Sequence, residues 1–180
     1  MTKILVPISN GFEEIETVSI IDICRRAEIE VTVAAVEELE TVGAHNISIK
    51  ADCKIEDVND EFDMIVLPGG LPNAFILAEN NYVQNFLKKM KKENKLIGAI
   101  CAAPYALHKA DVLNQNYTCY PSFEEKIRLD GYHQDDNIVI DDNVITSRGP
   151  ATAMNFALEI VKILQGKKKY IEVKNGLLQK

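Results

Sequence analysis

The sequence predicts an α/β protein of three layers, with helices covering both faces of a mostly parallel sheet and a cysteine on a sharp strand-to-helix turn. Three observations carry this prediction. Short apolar runs alternate with helical patterns, which is how a doubly covered sheet is written. The runs are apolar at successive positions rather than at every second one, as strands buried on both faces are. The segment Ala99-Ile100-Cys101-Ala102-Ala103-Pro104 joins one such run directly to a helix through small residues.

The elements follow in order. Lys3 to Ile8 (KILVPI) is a buried strand. After Gly11, the residues Ile15, Val18, Ile21 and Cys24 recur at helical spacing, and Arg25 and Arg26 stand where cations favour a helix end. This stripe is expected to lie on the protein's own sheet. Ile29 to Val36 is the next strand, and Val42 to Ile49 a hairpin-like excursion. Asp63 to Leu67 (DMIVL) is a buried strand stopped by Pro68-Gly69-Gly70. A lysine-rich helix spans Tyr82 to Glu93, and Leu96 to Ile100 (LIGAI) is a strand with Cys101 at its end. Ala102 to Ala110 reads as helix. Asn137 to Ile140 and Val144 to Thr146 are short strands around Asp141-Asp142. Pro150 to Gln165 is a closing helix capped by Gly166.

Composition narrows the classes of function. The chain has 180 residues, enough for one domain over residues 1–180 with a sizeable core. Its net charge is −7 with both signs interspersed, and without a basic stripe nucleic acid is not an expected partner. The run Lys167 to Lys169 reads as a solvated helix end. No apolar stretch is long enough to span a bilayer and no signal peptide is read, so a cytoplasmic protein is expected. The cysteines Cys24, Cys53, Cys101 and Cys119 form no CxxC pair, and His45, His108 and His133 are scattered, so neither disulfides nor a metal is expected.

In sheets of this kind the site lies beyond the carboxyl ends of the strands. Ser9 to Glu16, Pro68 to Gly70 and Cys101 all fall there. A strand turning straight into a helix crowds the corner residue, so its neighbours two positions away must be small. The G-x-S-x-G elbow of serine hydrolases uses glycines, and Ala99 and Ala103 stand in those places here. Pro104 suits a first helical turn. A thiol near a helix N-terminus is expected to favour the thiolate. The N–H of Ala102 can serve as one oxyanion donor, and that of Gly70 as a second, since glycine permits close backbone approach. The alternative is that Cys101 is a small buried hydrophobe, the reading adopted for Cys24 on the helical stripe. Cys53 and Cys119 lack the elbow context and read as surface oxidation sites at most. His108, on the helix after Cys101, is expected to point away from the elbow.

Glu13, Glu14 and Glu16 crowd the start of the first helix. Glu13 and Glu14 are expected to face water near the positive end of the dipole. A carboxyl group buried beside a thiol has its pKa raised by desolvation and by the like charge. Kept neutral, Glu16 can donate a hydrogen bond to sulfur and pass a proton.

Four segments in this order resemble the ThiJ/PfpI superfamily: Gly11-Phe12-Glu13-Glu14-Ile15-Glu16-Thr17, Val66-Leu67-Pro68-Gly69-Gly70, Ala99-Ile100-Cys101-Ala102-Ala103-Pro104 and Thr146-Ser147-Arg148-Gly149-Pro150. The resemblance is to the branch with the parkinsonism-associated deglycase and its bacterial YajL-type relatives. It implies a flavodoxin-like fold and a homodimer with the first helix at its interface. It implies that Cys101 is an oxidisable nucleophile, that Glu16 is a protonated glutamate on its sulfur, and that Gly70 and Ala102 are oxyanion donors. Gly69, Tyr120 and Arg148 join them as pocket residues. Some relatives carry a histidine where this chain has Tyr120, so a histidine shuttle does not carry over and the glutamate acts alone. The peptidase-like branch has histidine directly after the nucleophile, where Ala102 stands here.

The resemblance thus implies a cofactor-independent protein acting on small dicarbonyls or on glycated proteins, of glyoxalase or deglycase type, with a role in oxidative or carbonyl stress. A redox-sensing chaperone acting through oxidation of Cys101 is the alternative. A cysteine peptidase or amidase ranks below both.

Overall fold

The computed structural model describes residues 1–179. Seven strands form one sheet in the order β5-β2-β1-β6-β7-β9-β8. They are β1 (Lys3–Ile8), β2 (Glu30–Ala35), β5 (Cys53–Lys54), β6 (Met64–Leu67), β7 (Leu96–Ile100), β8 (Ile138–Asp141) and β9 (Val144–Ser147). Every neighbouring pair is parallel except the hairpin β8–β9 at one edge. The excursion before β5 is a separate antiparallel ribbon, β3 (Glu40–Val42) with β4 (Ser48–Lys50).

The apolar runs form strands because both sheet faces are covered. Along β1, Ile4, Val6 and Ile8 enter the core on one face and Leu5 the core on the other. Along β6, Met64 and Val66 alternate with Ile65 and Leu67 in the same way. On the first face α1 (Glu14–Arg26) packs against α6 (Ala153–Gly176). The other face is covered by α2 (Asn73–Glu79), α3 (Asn81–Lys92) and α4 (Pro104–Lys109). A short α5 (Glu124–Ile127) lies beside α4.

Four expectations need correction. The first helix buries Glu16, Thr17, Ile20, Ile23 and Cys24, whereas Ile15 and Val18 are 57% and 48% exposed. Val18 lies two positions from both Glu16 and Ile20, which turns it to the opposite side of the helix. Glu13 and Glu14 are buried rather than solvated. Glu13 caps α1 by accepting the Glu16 N–H at 2.8 Å. Glu14 accepts the His45 N–H at 2.5 Å and contacts the His45 ring Nδ1 at 2.8 Å. Gly166, with φ +84°, breaks α6, but helix resumes beyond it, so Lys167 to Lys169 open a second helical segment. There Lys169 pairs with Glu28 and Glu172. Cys119 is fully buried, which removes it as a surface oxidation site.

Candidate active site

The carboxyl ends of β1, β6, β7 and β9 lie at one edge of the sheet. Gly69, Gly70, Cys101, Ala102 and Arg148 sit on the turns that leave them, with Glu16 in the first turn of α1 and Tyr120 in the connection between α4 and α5. Cys101 follows β7 with φ +65°, a left-handed conformation that costs a non-glycine residue roughly 1–2 kcal/mol. Its neighbours hold it there. The Cys101 N–H donates to the Ser147 carbonyl at 2.9 Å, and the Cys101 carbonyl accepts the Tyr120 N–H at 2.8 Å. Ala99 and Ala103 are fully buried, so the small residues flanking the corner are a packing requirement. The helix begins later than expected. A turn over residues 101–103 precedes α4, which has only six residues with Pro104 first.

Glu16 reaches this corner from α1. It is fully buried, and its Oε2 accepts the Gly69 N–H at 2.8 Å. Its Oε1 is buried with no hydrogen-bond partner, and the carboxyl group lies against the Cys101 thiol. Gly69 makes this approach possible. A Cβ there would stand 2.6 Å from the Cys101 Cβ and 2.7 Å from the Glu16 Oε2. Gly70, with φ +89°, is forced in another way, since a Cβ would lie 2.3 Å from the Glu13 nitrogen and from the Gly11 carbonyl oxygen.

Asn73 ties the turns together and was not singled out from the sequence. Its Oδ1 accepts the Ser9 N–H at 2.8 Å, and its Nδ2 donates to the carbonyls of Pro68 and Gly69, each at 2.9 Å. The Glu13 N–H closes the set on the Gly69 carbonyl at 3.1 Å. A fully buried asparagine directly after Gly-Gly-Leu-Pro was the available signal, but burial is not visible in sequence.

The electrostatics depart from expectation at the thiol. Burial raises the Cys101 pKa, and the Glu16 carboxylate raises it further, while the N–H groups of Gly70 and Ala102 pull it down. A short helix offset by a turn is a weak dipole against that desolvation. Burial likewise pushes Glu16 up to about 8, against the Gly69 N–H and the Cys101 contact, with the Glu13 charge adding to the rise. Glu16 therefore holds its proton at neutral pH. A protonated Glu16 removes the like charge and can donate to sulfur, so a thiolate at Cys101 requires the proton on Glu16. Cys24 is pushed up to about 12 by burial alone.

The structure brings together Cys101, Glu16, Gly69, Gly70 and Ala102. Tyr120 and Arg148 stand on the adjoining rim, with Gly149, Pro150 and Asn137, around a depression of about 340 Å³. Half-buried His108 lies on α4, away from this rim. Among the described residues one group has metal-ligand proximity: Glu13, Glu14 and His45, whose ligand atoms lie within 4.8 Å of one another. The scattered histidines concealed it, because His45 arrives from the β3–β4 ribbon 31 residues beyond Glu14.

A buried cysteine at left-handed φ, facing a protonated carboxyl group across a glycine, on a doubly covered parallel sheet, defines an elbow-type cysteine protein of flavodoxin-like α/β fold. The chain belongs to the DJ-1/PfpI family, whose profile matches residues 2–163. It is 39% identical to the glutathione-independent glyoxalase DJR-1.2 of Caenorhabditis elegans, over 92% of this chain and 89% of that protein. It is 38% identical to the DJ-1 homolog B of Arabidopsis thaliana over 99% of this chain, which spans only 42% of that longer relative. The solved structure of oxidized Toxoplasma gondii DJ-1 superposes with a TM-score of 0.95 at 35% identity, covering 99% of each chain. Among the described residues no helix is long and apolar enough to cross a membrane.

Proposed function

We propose that this protein is a cofactor-independent enzyme for reactive 2-oxoaldehydes, of glyoxalase or deglycase type, acting as one domain in the cytoplasm. The observation that carries the reading is the fully buried Glu16 carboxyl group, which lies against the Cys101 thiol and whose Oε1 has no hydrogen-bond partner. A carboxyl group with a pKa of about 8 is poised to give and take a proton near neutral pH.

Cys101, as a thiolate beside protonated Glu16, adds to the aldehyde carbon of methylglyoxal, and Glu16 passes its proton to the aldehyde oxygen, giving a hemithioacetal and an ionised Glu16. The N–H groups of Gly70 and Ala102 stabilise the charge that develops on that oxygen. Ionised Glu16 removes the proton from this carbon and returns it to the neighbouring carbon, while the hydroxyl proton passes to the ketone oxygen. The result is a lactate thioester on Cys101. Water hydrolyses it, which releases lactate and restores the thiol. The aldehyde carbon is oxidised and the ketone carbon reduced, so no external redox partner is needed. The same addition would take early adducts from glycated proteins.

Lactate formation from methylglyoxal without glutathione tests this in the wild type, Cys101→Ser and Glu16→Gln. Turnover lost in both variants supports the assigned roles. Full turnover in Cys101→Ser, or none in the wild type with Cys101 reduced, overturns the reading.

A second reading is a redox-sensing chaperone, favoured by the oxidized state of the Toxoplasma relative. A neutral Glu16 can hydrogen-bond a sulfinate formed at Cys101 and hold oxidation at that stage. Intact mass after mild peroxide supports it when Cys101 is the first residue to gain oxygen. A peptidase is disfavoured by Ala102, which leaves no histidine beside the sulfur.

We further propose a homodimer through α1. Exposed Ile15 and Val18, with Ile47 of the β3–β4 ribbon 55% exposed, supply apolar surface that the monomer leaves open.

A further inference from the structure

The depression lined by Tyr120, Arg148 and Gly149 adjoins the turns that hold the Cys101 backbone, and it is larger than the chemistry above requires. Its volume is about 340 Å³, more than methylglyoxal fills. It is coupled to the elbow through two backbone bonds. Tyr120, on one wall, donates its N–H to the Cys101 carbonyl at 2.8 Å, and Ser147, whose carbonyl accepts the Cys101 N–H at 2.9 Å, directly precedes Arg148 on the other. The Arg148 backbone is pinned in turn, its N–H donating to the Asn137 carbonyl at 3.1 Å.

The charge of this depression is unlike the rest of the molecule. The chain carries 27 acidic residues and 20 lysines and arginines, yet no acidic residue lines this space and Arg148 is the only charged one that does. Among the described residues the half-buried Arg148 side chain forms no ion pair or hydrogen bond. A guanidinium in that state is a planar donor fork suited to a carboxylate. The Tyr120 ring lies against Gly149, where even an added Cβ would come within 3.4 Å, so it stands as a flat wall of the same space.

Building on the enzyme reading, we propose that Arg148 is a specificity residue that binds a carboxylate at the far end of the substrate, which makes aryl or alkyl 2-oxoaldehydes bearing a carboxylate preferred over neutral ones. Tyr120 packs against the body of such a substrate while its aldehyde meets Cys101.

The test compares phenylglyoxal with 4-carboxyphenylglyoxal, which differ only in the carboxylate, in the wild type, Arg148→Met and Arg148→Lys. The wild type is expected to favour the carboxylated substrate by about tenfold in kcat/KM, the size of one charge-assisted contact. The advantage should sit mainly in KM and shrink at high salt. Arg148→Met should bring the ratio to about one, and Arg148→Lys should restore part of it. No preference in the wild type, a ratio unchanged in Arg148→Met, or a loss shared equally by both substrates overturns the proposal. Calorimetric binding of 4-carboxymandelate and mandelate, the corresponding products, separates this inference from the enzyme reading. If neither aldehyde nor methylglyoxal is turned over, the enzyme reading fails, while tighter binding of the carboxylated product that Arg148→Met abolishes still supports the subsite. Equal binding of the two products overturns it.

Discussion

Glu16 accepts the Gly69 N–H at 2.8 Å through Oε2, and this bond aims the carboxyl group at the next turn of the chain. The bond fixes the acid from a strand-end loop rather than from its own helix. It leaves Oε1 without any other nitrogen or oxygen partner. The reactive corner is thus set by a backbone donor that only a glycine can present so close to Cys101.

Gly69→Ala follows from that contact. The new Cβ would stand 2.6 Å from the Cys101 Cβ, a distance at which something must shift. Methylglyoxal turnover and first-site oxidation of Cys101 are both expected to fall at least tenfold. Overpacking of this size costs roughly 1–3 kcal/mol of stability. Denaturant titration measures the second effect, and wild-type turnover in a folded Gly69→Ala variant contradicts the first.

The buried proton on Glu16 makes stability depend on pH. Its pKa rises from 4.5 in an ordinary setting to about 8 in the fold. Between these values the folded chain binds more proton than the unfolded one, so stability falls as pH rises through this window. Glu16→Gln removes that loss. Its Tm advantage over the wild type is expected to grow from about pH 5 to about pH 8, and a constant gap across the window would exclude the raised pKa.

Glu14 and His45 titrate against each other. Burial pushes Glu14 up, but hydrogen bonds from the His45 ring and backbone outweigh it and leave its pKa below 4.5. Hydrogen bonding to Glu14 and its charge raise the His45 imidazolium above 6.5. An NMR titration should therefore place the His45 midpoint above 6.5 in the wild type and return it toward 6.5 in Glu14→Gln. A midpoint that does not move between the two proteins refutes the pairing.

Val18→Lys tests the dimer through α1. Val18 is 48% exposed in the single chain, so the substitution leaves the fold intact. Light scattering at micromolar concentration should give a dimer mass for the wild type and a monomer mass for the variant. A monomeric wild type refutes the interface.

Much of the fold was legible because its strands are buried on both faces, and such strands write themselves as unbroken apolar runs. The predicted β7 (Leu96–Ile100) coincides with the observed one, and β1 likewise. The two-residue β5 was not legible, since it carries no pattern of its own and pairs only at the end of β2. The short α2 was hidden behind Pro68-Gly69-Gly70, which reads as a turn. At α1 an i, i+3 stripe pointed to the wrong face. Apolar character alone assigns Ile15 and Val18 to the core, whereas the fold turns the Glu16 side of the helix inward and rotates Ile15 and Val18 outward.

What the sequence determined by itself is the placing of Cys101 at the end of a buried strand and the small residues around it, because local sterics at a strand-to-helix corner admit little else. Where protons reside was decided by tertiary structure alone. Glu16 and Cys101 are separated by most of the first half of the chain, and only packing brings them together across Gly69. Desolvation then raises both pKa values, and it depends on every atom that excludes water from the site rather than on any neighbour in sequence.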